Sequence, residues 1–396
     1  MTRAANARAP ARGAAARERP DGAAEPNLGR HRLVSADSHV VEPLEVFAAV
    51  AKRLGSDAPK LIHTEDRGWV MDTGLGLTVQ PGRFATAGLE PQTRDYEAQE
   101  RSGYARDSLT DLRARLADLD RDGVEGEVLF PTLVGRFVSR LEHGPEVAEA
   151  LLRSYNDWLA DYCSEAPARL FPLACIQVRD LDAAVAEVER VKKLGHVGIV
   201  IPCGSPADRP YADRVYDPLW AAAQALRLPV AFHAGFGPDR GSRAESFQRH
   251  GLRYTLQHVD AAITISDLIL GGACDRFPEV RFVPTEFETG WIAQFLARMD
   301  WRQFRHEDRS RIRMRFSDYW RQNFLTTFED DDIGIRTRDE IGVESLMWAS
   351  DYPHGDSVWP NSRSTLDRIM AECTAEERHA MSLKNVVELY GLPIEA

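Results

Sequence analysis

Asp37 and His39 stand two residues apart in Ser35-Ala36-Asp37-Ser38-His39, directly after the apolar pair Leu33-Val34. Residues i and i+2 of a strand point to the same face. One short segment can therefore aim a carboxylate oxygen and an imidazole nitrogen at a single point, which is half of a divalent-cation site. Asp-x-His is common by chance, and a polar strand-to-loop junction would carry the same residues. Three further positions change the weighting. His233 ends the run Pro229-Val230-Ala231-Phe232, Glu286 follows Val280-Arg281-Phe282-Val283, and Asp351 ends Leu346-Met347-Trp348-Ala349-Ser350, with His354 three residues on. Each has an ordinary explanation. His233 would be a core histidine bonded to a carbonyl, Asp351 a turn or capping residue before Pro353, and Glu286 a solvated carboxylate. Jointly, imidazoles and carboxylates at the ends of apolar runs form the donor set of Zn²⁺, Mn²⁺ or Fe²⁺.

Such residues meet only if the runs that carry them are neighbouring strands. Short apolar strands are predicted at 32–37, 127–131, 170–176, 197–202, 229–233, 280–286, 324–328 and 346–351. Amphipathic helical segments alternate with them, for example Leu181, Val185, Val188, Val191 and Leu194. This alternation predicts parallel βα units. Eight units fit an α/β fold of the (β/α)₈ TIM-barrel type, in which strand C-termini converge on one functional face. The first strand lacks the Gly-rich phosphate loop of an open dinucleotide-binding sheet. The connection 42–107 is long enough to be a lid insertion with a short β-excursion of its own. One of its arginines (Arg83, Arg94 or Arg101) is a candidate partner for a substrate carboxylate. Residues 1–30, rich in Ala, Arg and Pro without apolar periodicity, are expected to be a disordered tail before a barrel at 31–396.

The 396 residues suffice for a large core, and 43% apolar with 28% charged residues is ordinary for a soluble protein. A net charge of −12 without a basic patch argues against nucleic-acid binding. No apolar run has the length of a membrane span. Five scattered cysteines (Cys163, Cys175, Cys203, Cys274, Cys373) form no Cys-x-x-Cys and suggest reduced thiols in a cytoplasmic protein.

Longer motifs follow in order: Ser35-Ala36-Asp37-Ser38-His39-Val40-Val41-Glu42-Pro43, Leu116-Ala117-Asp118-Leu119-Asp120-Arg121-Asp122-Gly123-Val124 and Tyr216-Asp217-Pro218-Leu219-Trp220. After them come Phe232-His233-Ala234-Gly235, Phe277-Pro278-Glu279-Val280, Ser350-Asp351-Tyr352-Pro353-His354 and Asn385-Val386-Val387-Glu388-Leu389-Tyr390-Gly391. With these the chain resembles the metal-dependent amidohydrolase superfamily, in the branch of aminocarboxymuconate-semialdehyde decarboxylase and γ-resorcylate decarboxylase. The resemblance implies that Asp37, His39, His233 and Asp351 bind one divalent metal ion, and it suggests a homodimer. Members often carry His or Glu at the position of Asp37, and many carry His at that of Glu286, where it handles protons or orients water. Asp351 and Glu286 are therefore the expected catalytic residues, with His354 behind the metal ligands or against the substrate.

The expected reaction is non-oxidative decarboxylation of an aromatic or unsaturated carboxylic acid, with Asp351 or Glu286 delivering a proton to the carbon that loses CO₂. The nearest alternative is hydrolysis of an amide, ester or lactone by water activated at the metal. A less favoured one is a non-catalytic binding barrel, whose hallmark would be loss of a ligand histidine; His39 and His233 are both present.

Overall fold

Among the described residues eight strand segments are parallel, and their order around the sheet places the polar strand ends together. The computed structural model describes residues 32–54, 59–72, 78–137, 145–206, 208–237, 255–305 and 312–396. The expected tail at 1–30 lies outside the described residues. Strands β1 (Leu33–Val40), β5 (Val124–Pro131), β6 (Leu170–Cys175), β7 (Gly198–Ile201), β8 (Val230–His233) and β9 (Phe282–Thr285) hydrogen-bond in that order. Every pairing among them is parallel. Strands β10 (Thr326–Phe328) and β11 (Leu346–Trp348) form a second parallel pair. Phe324, just ahead of β10, bridges in parallel to Phe282 on β9. Beyond β11 the chain returns to β1: Ser350 N–H donates to Ser35 Oγ (2.9 Å), Asp351 N–H to the Asp37 carbonyl (3.0 Å) and His39 N–H to the Tyr352 carbonyl (2.7 Å). The parallel sheet is thus curled, as right-handed βα crossovers and strand twist require.

Each predicted strand has its counterpart, but those expected at 170–176, 197–202, 280–286 and 346–351 end sooner, at Cys175, Ile201, Thr285 and Trp348. Glu286 (φ 63°) and Asp351 (φ 52°) adopt left-handed backbone conformations. That conformation costs a non-glycine residue about a kcal/mol or more, breaks the strand, and swings the next groups away from its axis. Two short helices, Asp332–Arg336 and Arg338–Ile341, lie between β10 and β11.

The helices follow from period and caps. Leu112–Asp122 begins at Asp111, whose side chain accepts from Arg113 N–H, and ends at Gly123, whose φ of 73° only glycine adopts freely. Leu181–Lys193 begins at Asp180, which accepts from Ala183 N–H, and buries Ala184, Val188 and Val191 against the sheet. No described helix is long and apolar enough to cross a membrane. All five cysteines are buried and unbridged.

The connection after β1 does contain β structure. Strands β2 (Lys60–Thr64), β3 (Gly68–Asp72) and β4 (Thr78–Val79) form a small antiparallel sheet. Two of its arginines are engaged locally. Arg101 donates to the Glu65 and Asp66 carbonyls, and Arg83 lies 3.7 Å from Glu100. The segment also reaches the loop after β11: Ala87 N–H donates to the Pro353 carbonyl, and the Phe84 ring lies 5.9 Å from that of His354.

A buried ion pair ties β1 to β5 beneath the polar ends. Arg115 Nε donates to Glu127 Oε1 (2.5 Å) and Arg115 Nη1 to the His39 carbonyl (2.8 Å), with both side chains essentially fully buried. Removing one partner strands the other charge in the core, which typically costs about 3–5 kcal/mol. Arg115→Met should therefore lower the urea midpoint by that much stability. A change below about 1 kcal/mol would show that the pair is dispensable.

Candidate metal centre

Three of the expected ligands, Asp37, His39 and His233, come together with Glu286, and the fourth, Asp351, joins His39 and Glu286 in an overlapping group with His354. Asp37, His39, His233 and Glu286 each offer a donor atom within 4.8 Å of the others, as do His39, Glu286, Asp351 and His354. His39 Nε2 lies 3.4 Å from Asp37 Oδ1, 3.3 Å from Asp351 Oδ1 and 3.6 Å from Glu286 Oε2. His233 Nε2 lies 3.0 Å from Glu286 Oε2, 3.5 Å from Asp37 Oδ2 and 3.1 Å from His39 Nε2. Asp37 and His39 share a face despite a bulge in β1, where the register with β5 shifts between Ser35 and Ser38. Left-handed backbone at Glu286 and Asp351 turns both carboxylates onto the same point.

Each imidazole is held from behind. His39 Nδ1 lies 2.8 Å from the Pro131 carbonyl and His233 Nδ1 2.7 Å from the Ala234 carbonyl. A carbonyl accepts only, so the proton sits on Nδ1 and Nε2 is left to face the cluster. Metal-ligating histidines are usually oriented in this way. The rings pack against Phe130 and Phe236.

The oxygens facing these nitrogens lack hydrogen-bond partners. Both Asp37 oxygens, Glu286 Oε2 and Asp351 Oδ1 are buried and unpartnered. Buried carboxylate oxygens without donors are costly unless a cation stands among them. Burial opposes a proton on His233, yet the Glu286 and Asp37 carboxylates hold one there, well above the usual histidine range. Burial pushes His39 down to about 4. Burial together with Glu286 and Asp37 pushes Asp351 well above the usual carboxylate range. Three carboxylates and two imidazoles whose Nε2 atoms face them fit a divalent cation, which would take the place of the proton on His233.

His354 stacks on His39 with centroids 3.9 Å apart. Its Nδ1 is 3.0 Å from Asp351 Oδ1, and its Nε2 hydrogen-bonds Thr132 Oγ1 at 2.9 Å. Sequence reasoning missed Thr132, the Arg115–Glu127 pair and Glu329. A lone charge at 127 inside an apolar strand was the available signal for the pair, since such a charge needs a partner. Glu329 follows β10 as Glu286 follows β9. Burial and the acids at 351, 288, 286 and 37 push it well above the usual carboxylate range.

A curled parallel α/β sheet with imidazoles and carboxylates gathered at its strand ends defines a metal-dependent enzyme of the amidohydrolase type. The Amidohydrolase family model matches residues 103–392, and the chain belongs to that family. It is 26% identical over 281 residues to the γ-resorcylate decarboxylase of a Rhizobium species, covering 65% of this chain and 82% of the relative. With the γ-resorcylate decarboxylase of Rhodococcus jostii it shares 27% identity over 287 residues, covering 68% and 83%. Among solved structures, 5-carboxyvanillate decarboxylase from Novosphingobium aromaticivorans, complexed with manganese and 4-hydroxy-3-methoxy-5-nitrobenzoic acid, superposes with a TM-score of 0.67 at 21% identity. That match covers 92% of this chain and 97% of the other.

Proposed function

We propose that this enzyme is a metal-dependent, non-oxidative decarboxylase of an aromatic or unsaturated carboxylic acid. The observation that carries the reading is the knot of unpartnered carboxylate oxygens around His39 and His233, in a chain whose curated relatives are decarboxylases. Asp37, His39, His233 and Asp351 would hold the ion, with Glu286 as a further oxygen donor. The carboxylate-rich set favours a harder ion, and manganese is supported by the solved decarboxylase that contains it. When bound, the ion supplies Lewis acidity and an anchor for the substrate carboxylate or a neighbouring hydroxyl.

The protein's own part is positioning and proton delivery. As the bond from carbon to CO₂ breaks, its electron pair stays on the carbon. The Asp351 carboxyl gives its proton to that carbon and is reprotonated from solvent. Phe84, Phe130 and Phe236 supply apolar surface beside the histidines. We read the curled sheet as a closed (β/α)₈ barrel, the segment 42–107 as a lid over its mouth, and the protein as a cytoplasmic homodimer.

The test is to load the protein with Mn²⁺ and offer 2,6-dihydroxybenzoate and 5-carboxyvanillate beside their methyl esters and anilides. Stoichiometric CO₂ release from the free acids is expected. Cleavage of the esters or anilides without CO₂ release would replace this reading with the hydrolytic one.

A further inference from the structure

The Glu42 side chain is fully buried three residues after His39. Its carboxylate accepts three backbone N–H groups: Thr132 (3.1 Å) and Val134 (3.0 Å) on Oε1, and Leu133 (2.8 Å) on Oε2. These residues directly follow Pro131, whose carbonyl holds His39 Nδ1. A buried carboxylate is expensive to keep, and three donors converging on it make a rigid anion cradle from a turn that would otherwise leave its N–H groups unpaired. The turn presents the Thr132 hydroxyl to His354 Nε2 at 2.9 Å. His354 in turn lies flat on His39 and 3.0 Å from Asp351 Oδ1.

We propose that Glu42 and Thr132 are positioning residues for the site: Glu42 pins the Thr132–Val134 turn, and the Thr132 hydroxyl fixes His354 against His39 and Asp351. The hydrogen bonds of the two side chains go to the Thr132–Val134 turn and to His354, and to none of Asp37, His39, His233, Glu286 and Asp351. They act through the His354 ring, which touches His39 and Asp351. Partners at this remove typically alter metal affinity or activity by 10–100-fold. A purely structural role would leave the ring and the ion indifferent to the hydroxyl, because valine has the shape of threonine.

The experiment compares Thr132→Val, Thr132→Ser, Glu42→Gln and the Glu42→Gln/Thr132→Val double variant. The readouts are Mn²⁺ affinity by calorimetry and the ¹⁵N resonances of the His354 imidazole. Thr132→Val should weaken Mn²⁺ binding about tenfold and move the His354 resonances, leaving those of the remote His196 in place. Thr132→Ser should restore both. Glu42→Gln leaves one acceptor oxygen for three donors and should weaken binding at least as far. The double variant should go no further than Glu42→Gln alone, because both changes break one chain of contacts. Wild-type behaviour of Thr132→Val, or additive losses in the double variant, would overturn the proposal. The affinity arm rests on the metal-site reading. Were the wild type to take up no Mn²⁺, that reading would fall, and the metal-free His354 resonances would still decide the positioning claim.

Discussion

A His39→Ala/His233→Ala protein should emerge from purification without the divalent metal that the wild type carries, with Mn²⁺ affinity lowered by more than about a hundredfold. Even partners outside the ligand set cost up to that factor. The Nε2 atoms of these two imidazoles lie 3.0–3.6 Å from Asp37, Asp351 and Glu286 oxygens. Without them, buried carboxylates face one another across two cavities, and the rings that packed on Phe130 and Phe236 are gone. Elemental analysis and calorimetry check the loss of metal, and thermal unfolding gives an independent reading. A ligand that binds only the folded state stabilises it by about 2.7 kcal/mol at a hundred times its dissociation constant. Mn²⁺ should therefore raise the wild-type melting temperature and leave that of the double variant unchanged. A folded double variant that still holds one equivalent of metal would place the ion elsewhere and remove the basis of the proposed chemistry.

Why these histidines could be recognised from sequence is a matter of period and position. Phe232-His233 and Ser350-Asp351 each break an apolar run with a polar group, and in a parallel sheet such breaks fall at the same edge. The strand positions followed from burial on both faces, which leaves a nearly continuous apolar signature. What could not be read was anything set by tertiary contact across the sheet. The left-handed backbone at Glu286 carries no residue signal, and at Asp351 only the weak tolerance of aspartate for that conformation. It is imposed by the hydrogen bonds that Glu286 N–H makes to Thr327 Oγ1 and Asp351 N–H makes to the Asp37 carbonyl. Glu42 stood within a quoted motif, yet its partners lie some 90 residues away on the turn after β5, beyond the reach of any local pattern. The arginines in the segment after β1 looked available for a substrate. Arg101 is instead committed to neighbouring carbonyls, a pairing that depends on how the small β2–β3 hairpin folds back.

Asp351→Asn should retain Mn²⁺ and lose decarboxylation by about 10²–10⁴-fold, the range that a positioned proton donor contributes. The amide keeps the shape and one acceptor oxygen but has no acidic proton. Glu286→Gln should behave in the opposite manner, with weakened metal binding and a smaller effect on turnover once metal is saturating. The contrast follows from what surrounds each group. Burial, Glu286 and Asp37 all drive Asp351 toward its protonated form. Burial pushes Glu286 the same way, but the His233 and His39 rings beside it outweigh that and hold it well below the usual carboxylate range. One carboxyl is thus suited to donate a proton and its neighbour to remain a charged oxygen ligand, the division of labour expected when two acids share a site with unlike surroundings. The measurement is kcat and metal occupancy for both variants on whichever acid the wild type decarboxylates. Full turnover by Asp351→Asn with failure of metal-saturated Glu286→Gln would exchange the two roles. Retained turnover in both would move the proton donor to another group at the strand ends, and Glu329, half-buried after β10 and held protonated by burial and by Asp351, would be the next to replace.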